Sequence, residues 1–186
     1  MHPWETLSRR IILDHSRYLI VESHDILLPD GRRIADWPWI ITPDFVTVIV
    51  VNANGEFVLF RQTKYAVQGE SLAPAGGYLE PGEFPLTAAK RELLEEVGYT
   101  SNNWTYLGSY PVDGNRGSGI AHIYLAVDAI PVCGDTPLPV SDDLEEQEIV
   151  LLSLAEVFQA LMDQQFKVLP WVAAVSMALC HLGWQK

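Results

Sequence analysis

Cysteine is almost absent from this sequence, and its absence excludes the commonest metal and redox motifs. Cys133 and Cys180 form no CxxC pair and have no spacing that suits zinc. The five histidines make no HExxH run, so each reads as structural or solvent-facing. Basic residues are scarce too, twelve against twenty-four acidic ones, for a formal charge of −12. A chain this acidic repels nucleic-acid backbones, so no nucleic-acid partner is expected. Long apolar runs are also lacking. The longest, Leu169 to Trp184, is too short to span a bilayer and carries Ser176 and His181, so it reads as a buried helix with no membrane role. The first residues hold Glu5, Arg9 and Arg10 but no long apolar run, so no signal peptide is expected and the cytoplasm is the expected compartment. There is no internal repeat and no low-complexity tract. The 186 residues suit one domain of ordinary size, or one with a small appendage.

What is present is concentrated between Gly77 and Tyr99. From Pro85 to Val97 the pattern is helical, with Leu86, Ala89, Leu93 and Val97 recurring as a core-facing stripe. Pro85 suits the first turn, and Gly98 suits the left-handed position just past the end. On such a helix Glu92, Glu95 and Glu96 fall at i, i+3 and i+4. Like charges at that spacing cost about 0.2–0.5 kcal/mol per pair. They also sit in the last turns, where the helix dipole favours cations. Arg91 can pair with Glu95, but one guanidinium does not neutralise the cluster. A bound hard cation answers it, because carboxylate oxygens with no Cys or His nearby suit Mg²⁺ or Mn²⁺. The bland alternative is a solvated acidic face. Two adjacent glycines, Gly76 and Gly77, tilt the balance, since they let a backbone carbonyl point at a ligand.

These residues carry a resemblance. Gly77, five residues, Glu83, seven residues, then Arg91-Glu92-Leu93-Leu94-Glu95-Glu96-Val97-Gly98-Tyr99 resembles the signature box of the Nudix hydrolases at every fixed position. The resemblance implies an enzyme that cleaves a diphosphate linked to a further moiety, with Mg²⁺ or Mn²⁺ held by the box glutamates. It also implies an α/β/α sandwich around a mixed sheet. Glu92 and Glu96 are the expected principal metal ligands, with Glu95 contributing or bridging through Arg91. The resemblance adds the backbone carbonyl of Gly76 as a ligand. Glu83 and Arg91 are expected behind these, orienting the helix glutamates.

The rest of the chain agrees with that class. Residues Ser16 to Ile34 look like two strands turning at Pro29-Asp30-Gly31, ahead of the aromatic stretch Trp37-Pro38-Trp39. Phe45 to Val51, Glu56 to Arg61, Trp104 to Tyr110, Ile120 to Val127 and Glu148 to Leu152 read as further strands. Gly114, Gly117 and Gly119 are placed in a loop, and Pro131 to Pro139 in another. Ser153 and Glu156 make a capping box for a helix from Leu154 to Met162, and Pro170 opens the last helix, closed by Gly183. Strands on both sides of one signature helix point to a mixed sheet between helical layers. The expected division is a small hairpin subdomain, 1–40, and a catalytic domain, 41–186.

Within the family the chain looks like the ADP-ribose pyrophosphatase branch. The features that carry this are the early hairpin, Arg61-Gln62-x-Lys64-Tyr65, and Ala73-Pro74-Ala75-Gly76-Gly77 running into the box. That branch implies a small-molecule nucleotide diphosphate substrate and a homodimer that exchanges its first strands. It also implies aromatic stacking for the base, for which Trp37 and Trp39 are candidates, Trp39 foremost. Lys64 falls where the branch places a cation near the substrate phosphates, with Arg61 as its companion. The general base in that branch is a glutamate on a loop well after the box. Glu145 is the expected base, with Glu146 and Glu148 as rivals. Pro111 arrives earlier than the proline common in ADP-sugar members, which leaves the identity of the second moiety open. Two other classes stay in play: a silent nucleotide-sugar sensor and an enzyme acting on nucleoside triphosphates.

Overall fold

The computed structural model describes residues 2–132 and 146–183. It divides into two compact units, Met1–Asp44 with Tyr110–Ile120, and Phe45–Ser109 with Ala121–Lys186.

The first unit is built on three antiparallel strands, β1 (Glu5–His15), β2 (Leu19–Leu27) and β3 (Arg33–Ile41). The hairpin β2–β3 turns through residues 28–32, where the sequence places Pro29-Asp30-Gly31. The strand β1 is an addition to the expected pair. Its sequence shows no clean alternation, because register shifts between Thr6 and Ser8 and between Ile11 and Leu13 break the two-residue period.

The second unit is the α/β/α sandwich. Its strands are β4 (Phe45–Asn52), β5 (Phe57–Gln62), β6 (Ser71–Ala73), β7 (Tyr99–Thr100), β8 (Asn103–Asp113), β9 (Gly117–Pro131) and β10 (Gln147–Leu152). The tips of β8 and β9 belong to the first unit. Gly117 and Gly119 therefore lie inside β9 and not in a loop. The strand order β9-β4-β5-β10 is mixed, with β4 parallel to β9 and antiparallel to β5.

Alternation along each strand fills both faces. Val46, Val48, Val50, Val58 and Phe60 pack on one side beneath α1 (Pro85–Glu92). Ile49, Phe57, Leu59 and Leu125 pack on the other beneath α2 (Leu154–Met162) and α3 (Leu169–His181). The Ser153–Glu156 capping box is formed in full. No helix among the described residues is long and apolar enough to cross a membrane.

The signature helix departs from expectation in two ways. Its buried stripe starts at Ala88 and Ala89, while Leu86 in the first turn is 38 % exposed. The small alanines let the helix approach the sheet where Leu would hold it off. Beyond Glu92 the helix widens into a π-turn, Leu93–Val97, closed by Gly98 in the left-handed conformation at φ 71°. Such widened turns occur frequently at functional sites.

Candidate active site

The acidic end of α1 faces the segment that crosses between β5 and β4. The N–H groups of Val46 and Val48 donate to the carbonyls of Gly77 and Ala75, at 2.9 and 2.8 Å. With both flanking carbonyls spent on β4, alternation turns the Gly76 carbonyl away from that strand. The Gly76 N–H donates to Glu96 Oε2 at 2.8 Å. A Cβ at Gly77 would lie 2.4 Å from Glu92 Oε1, so the Glu92 carboxylate rests where it does only because residue 77 is glycine. Two carboxylates, Glu92 and Glu96, thus lie against one Gly-Gly step.

Arg91 organises the remaining acids. Its guanidinium grips Glu83 with both ends of the fork, Nε to Oε1 at 3.0 Å and Nη2 to Oε2 at 2.9 Å. Its Nη1 donates to Glu92 Oε1 at 2.7 Å and to Glu95 Oε2 at 3.0 Å, and its Nη2 donates to the Tyr78 carbonyl at 3.2 Å. The crowding expected of the helix is therefore resolved in two directions. Glu95 and Glu92 turn to Arg91, while Glu96 turns to Gly76. Four carboxylates against one guanidinium still leave a formal excess of three negative charges.

The Arg91 hydrogen bonds hold the Glu83 carboxyl below the ordinary carboxylate range, and Glu83 in turn holds the Arg91 guanidinium well above its ordinary value. A carboxylate whose folded pKa is depressed adds stability above its unfolded pKa and loses it as pH falls through the folded one. Glu83→Gln is expected to cost about 2 kcal/mol at pH 7. The deficit relative to wild type should begin to shrink below about pH 4.5, where the unfolded chain's carboxyl takes up its proton, and vanish once pH falls below the depressed folded value. Thermal melts of both proteins from pH 7 to pH 3 check this, and a deficit that does not vary with pH contradicts it.

Among the described residues, no three acidic, histidine or cysteine side chains converge to hold an ion by themselves. The donor set that fits a hard divalent cation is two carboxylates and a carbonyl, from Glu92, Glu96 and Gly76. All are oxygen, as Mg²⁺ and Mn²⁺ prefer.

Residues 42–172 match the family model described as NUDIX domain. The chain belongs to the NUDIX family. It is 26 % identical over 144 residues to the ADP-ribose pyrophosphatase of Bacillus subtilis (strain 168), covering 77 % of this chain and 71 % of that protein. It is 31 % identical over 126 residues to ADP compounds hydrolase NudE of Escherichia coli (strain K12), covering 67 % of this chain and 68 % of that one. A crystal structure of an ADP compounds hydrolase superposes with a TM-score of 0.80 at 24 % identity, over 98 % of this chain and 97 % of the other, and shares the fold. The protein is a Nudix hydrolase, and enzymes of this family depend on a metal ion.

The other expected site residues of this Nudix chain are placed unequally. Lys64 is half-buried in the segment after β5. Arg61 is not brought to the glutamates. It follows Phe57 and Leu59 onto the α2–α3 face of the sheet, where it lines a cavity of about 220 Å³ with Lys167. Glu148 pairs with Arg61 across β5 and β10 and shares that face with Val150 and Leu152. Glu145 lies outside the described residues, and Glu146 is exposed just before β10.

Trp39 belongs to the first unit and stacks on His24 at 5.4 Å between ring centroids, 16° from parallel. Both line a cavity of about 500 Å³ with Trp4, Trp37 and Asn115. His24, read from the sequence as structural or solvent-facing, is buried, and its Nε2 lies 2.8 Å from Glu22 Oε2. Only its two-residue spacing from Glu22 hinted at the pairing.

Proposed function

We propose that this chain hydrolyses the diphosphate of a nucleoside diphosphate sugar, of which ADP-ribose is the foremost candidate, to a nucleoside monophosphate and a sugar phosphate. The observation that carries the reading is the pair of carboxylates, Glu92 and Glu96, set against the Gly76–Gly77 step, where the carbonyls of Ala75 and Gly77 are bonded to β4. The names of the two relatives support the substrate class, and the complete box supports catalysis over silent binding.

In this proposal Glu92, Glu96 and the Gly76 carbonyl hold Mg²⁺ or Mn²⁺. When bound, the ion neutralises diphosphate oxygens and lowers the pKa of a water. Arg91, fixed by Glu83, holds Glu92 and Glu95 in position. Lys64 answers the charge of the phosphates. Arg61 has no part in it. Glu145 takes a proton from the attacking water as its oxygen bonds to phosphorus, and the bridging P–O bond breaks toward the leaving phosphate.

Purified protein with Mg²⁺ or Mn²⁺ should release AMP and ribose 5-phosphate from ADP-ribose, and far less from GDP-mannose, NADH, diadenosine polyphosphates or dNTPs. Release of pyrophosphate from dNTPs as the fastest reaction, or binding of ADP-ribose without turnover, would sink the reading. The base assignment has its own test. Glu145→Gln is expected to lower kcat by about 10²–10⁴ with little change in KM, whereas Glu148→Gln, on the far face of the sheet, should stay within about twofold. The opposite ranking removes Glu145 from the role.

We propose further that the chain forms a homodimer through its first unit. Strand β1 is exposed along its whole length at a sheet edge, with Ile11, Ile12 and Leu13 45–59 % exposed. Such an edge is a template for pairing. Light scattering should give twice the chain mass, and Ile11→Lys with Leu13→Lys should return it to that of one chain.

A further inference from the structure

The face of the sheet beneath α1 changes character one residue past its apolar layer. Val58 and Phe60 of β5 sit in the core there, and Gln62, two residues on, continues the same face. The pairing of Val50 with Val58 sets Val46 at the level of Gln62, and the segment from Ser71 to Gly77 runs between them. This is the level of Gly77, against which the Glu92 carboxylate rests. Gln62 is 5 % exposed, yet its Oε1 has no hydrogen-bond partner. A buried acceptor left unpaired destabilises a fold, and an apolar side chain of the same length would avoid that cost. Departures from local rules of this kind gather at functional sites.

We propose that Gln62 is a specificity-determining residue whose Oε1 accepts a hydrogen bond from a hydroxyl of the sugar half of the substrate. The inference rests on the reading of the substrate as a nucleoside diphosphate sugar and deepens it. An acceptor must be answered by a donor. Phosphate oxygens and glutamate carboxylates are themselves acceptors at neutral pH, so neither the diphosphate nor the box glutamates can serve, and the Arg91 guanidinium is engaged by Glu83, Glu92, Glu95 and the Tyr78 carbonyl. A sugar hydroxyl can. A site built to hydrogen-bond a hydroxyl rejects ligands that lack it, because its buried acceptor then stays unpaired. Gln62 would thus favour a sugar over a further phosphate at the position beyond the diphosphate.

The test uses Gln62→Met, which keeps side-chain length and removes both polar atoms. Without ligand, its Tm is expected to rise by about 2–6 °C, because the unpaired acceptor is gone. With ADP-ribose, kcat/KM should fall by about thirty- to a hundredfold. Calorimetry should show ribose 5-phosphate binding weakened at least about tenfold and inorganic phosphate binding changed less than about twofold. A lower Tm overturns the proposal, since it means Oε1 is already satisfied in the free protein, as by a buried water. Equal losses for ribose 5-phosphate and inorganic phosphate overturn it as well, as do unchanged values for both, or a wild type that binds no ribose 5-phosphate. Failure of the reaction assignment looks different: wild type would bind ribose 5-phosphate but not cleave ADP-ribose, and the two phosphates would still decide the role of Gln62.

Discussion

Glu96→Gln is expected to lower kcat by about a thousandfold or more while the protein stays folded. The reason lies in what the substitution keeps. Glu96 Oε2 accepts the Gly76 N–H at 2.8 Å, and the amide oxygen of Gln can accept the same bond. The anchor between the π-turn and the Gly-Gly step is therefore retained, and only the charge is lost. That charge lies four residues from Glu92 and next to Glu95, so its removal also relieves like-charge repulsion in the free protein. Tm should be unchanged or slightly higher. Stabilising a developing oxyanion is worth about 4 kcal/mol or more in such sites, which is the thousandfold. Steady-state kinetics with a melt on the same sample decides it: near-normal kcat in a well-folded variant removes Glu96 from the metal site.

Gly76→Ala is expected to act on the fold itself. Gly76 has φ +151°, and a Cβ there would lie 2.2 Å from the Val46 carbonyl oxygen and 3.1 Å from Thr47 Cα. Both are backbone atoms of a central strand and have nowhere to go. Strain and overpacking together should cost about 3–5 kcal/mol, or about 10 °C in Tm for a chain of this size. The neighbouring glycine provides the contrast. A Cβ at Gly77 would meet the Glu92 carboxylate, the far end of a flexible side chain, at 2.4 Å. Gly77→Ala should keep most of its stability and lose activity instead, because Glu92 must swing away. If both variants melt alike, the two glycines do not divide the labour in this way.

Much of this was legible in the chain. The box from Gly77 to Tyr99, the helix start at Pro85, the left-handed stop at Gly98 and the Ser153–Glu156 cap are local rules, obeyed within a few residues of where they are written. In the second unit β4, β5, β8, β9 and β10 followed from runs of β-branched and aromatic residues, whereas β6 and β7, of three and two residues, are too short to show such a pattern. β1 was hidden because its bulges spoil the alternation that marks a strand.

By itself, then, the sequence determined the family, the identity of the acidic cluster and the two glycines beside it, because spacing along one helix and one turn is a matter of near neighbours. Only the tertiary structure decided which acids Arg91 takes, which face of the sheet receives Arg61 and Glu148, and that Gln62 is buried with an unanswered oxygen. Those outcomes depend on pairings between strands far apart in the chain. The register of β5 against β10 and β6 assigns each side chain to a face, and no local pattern encodes that register.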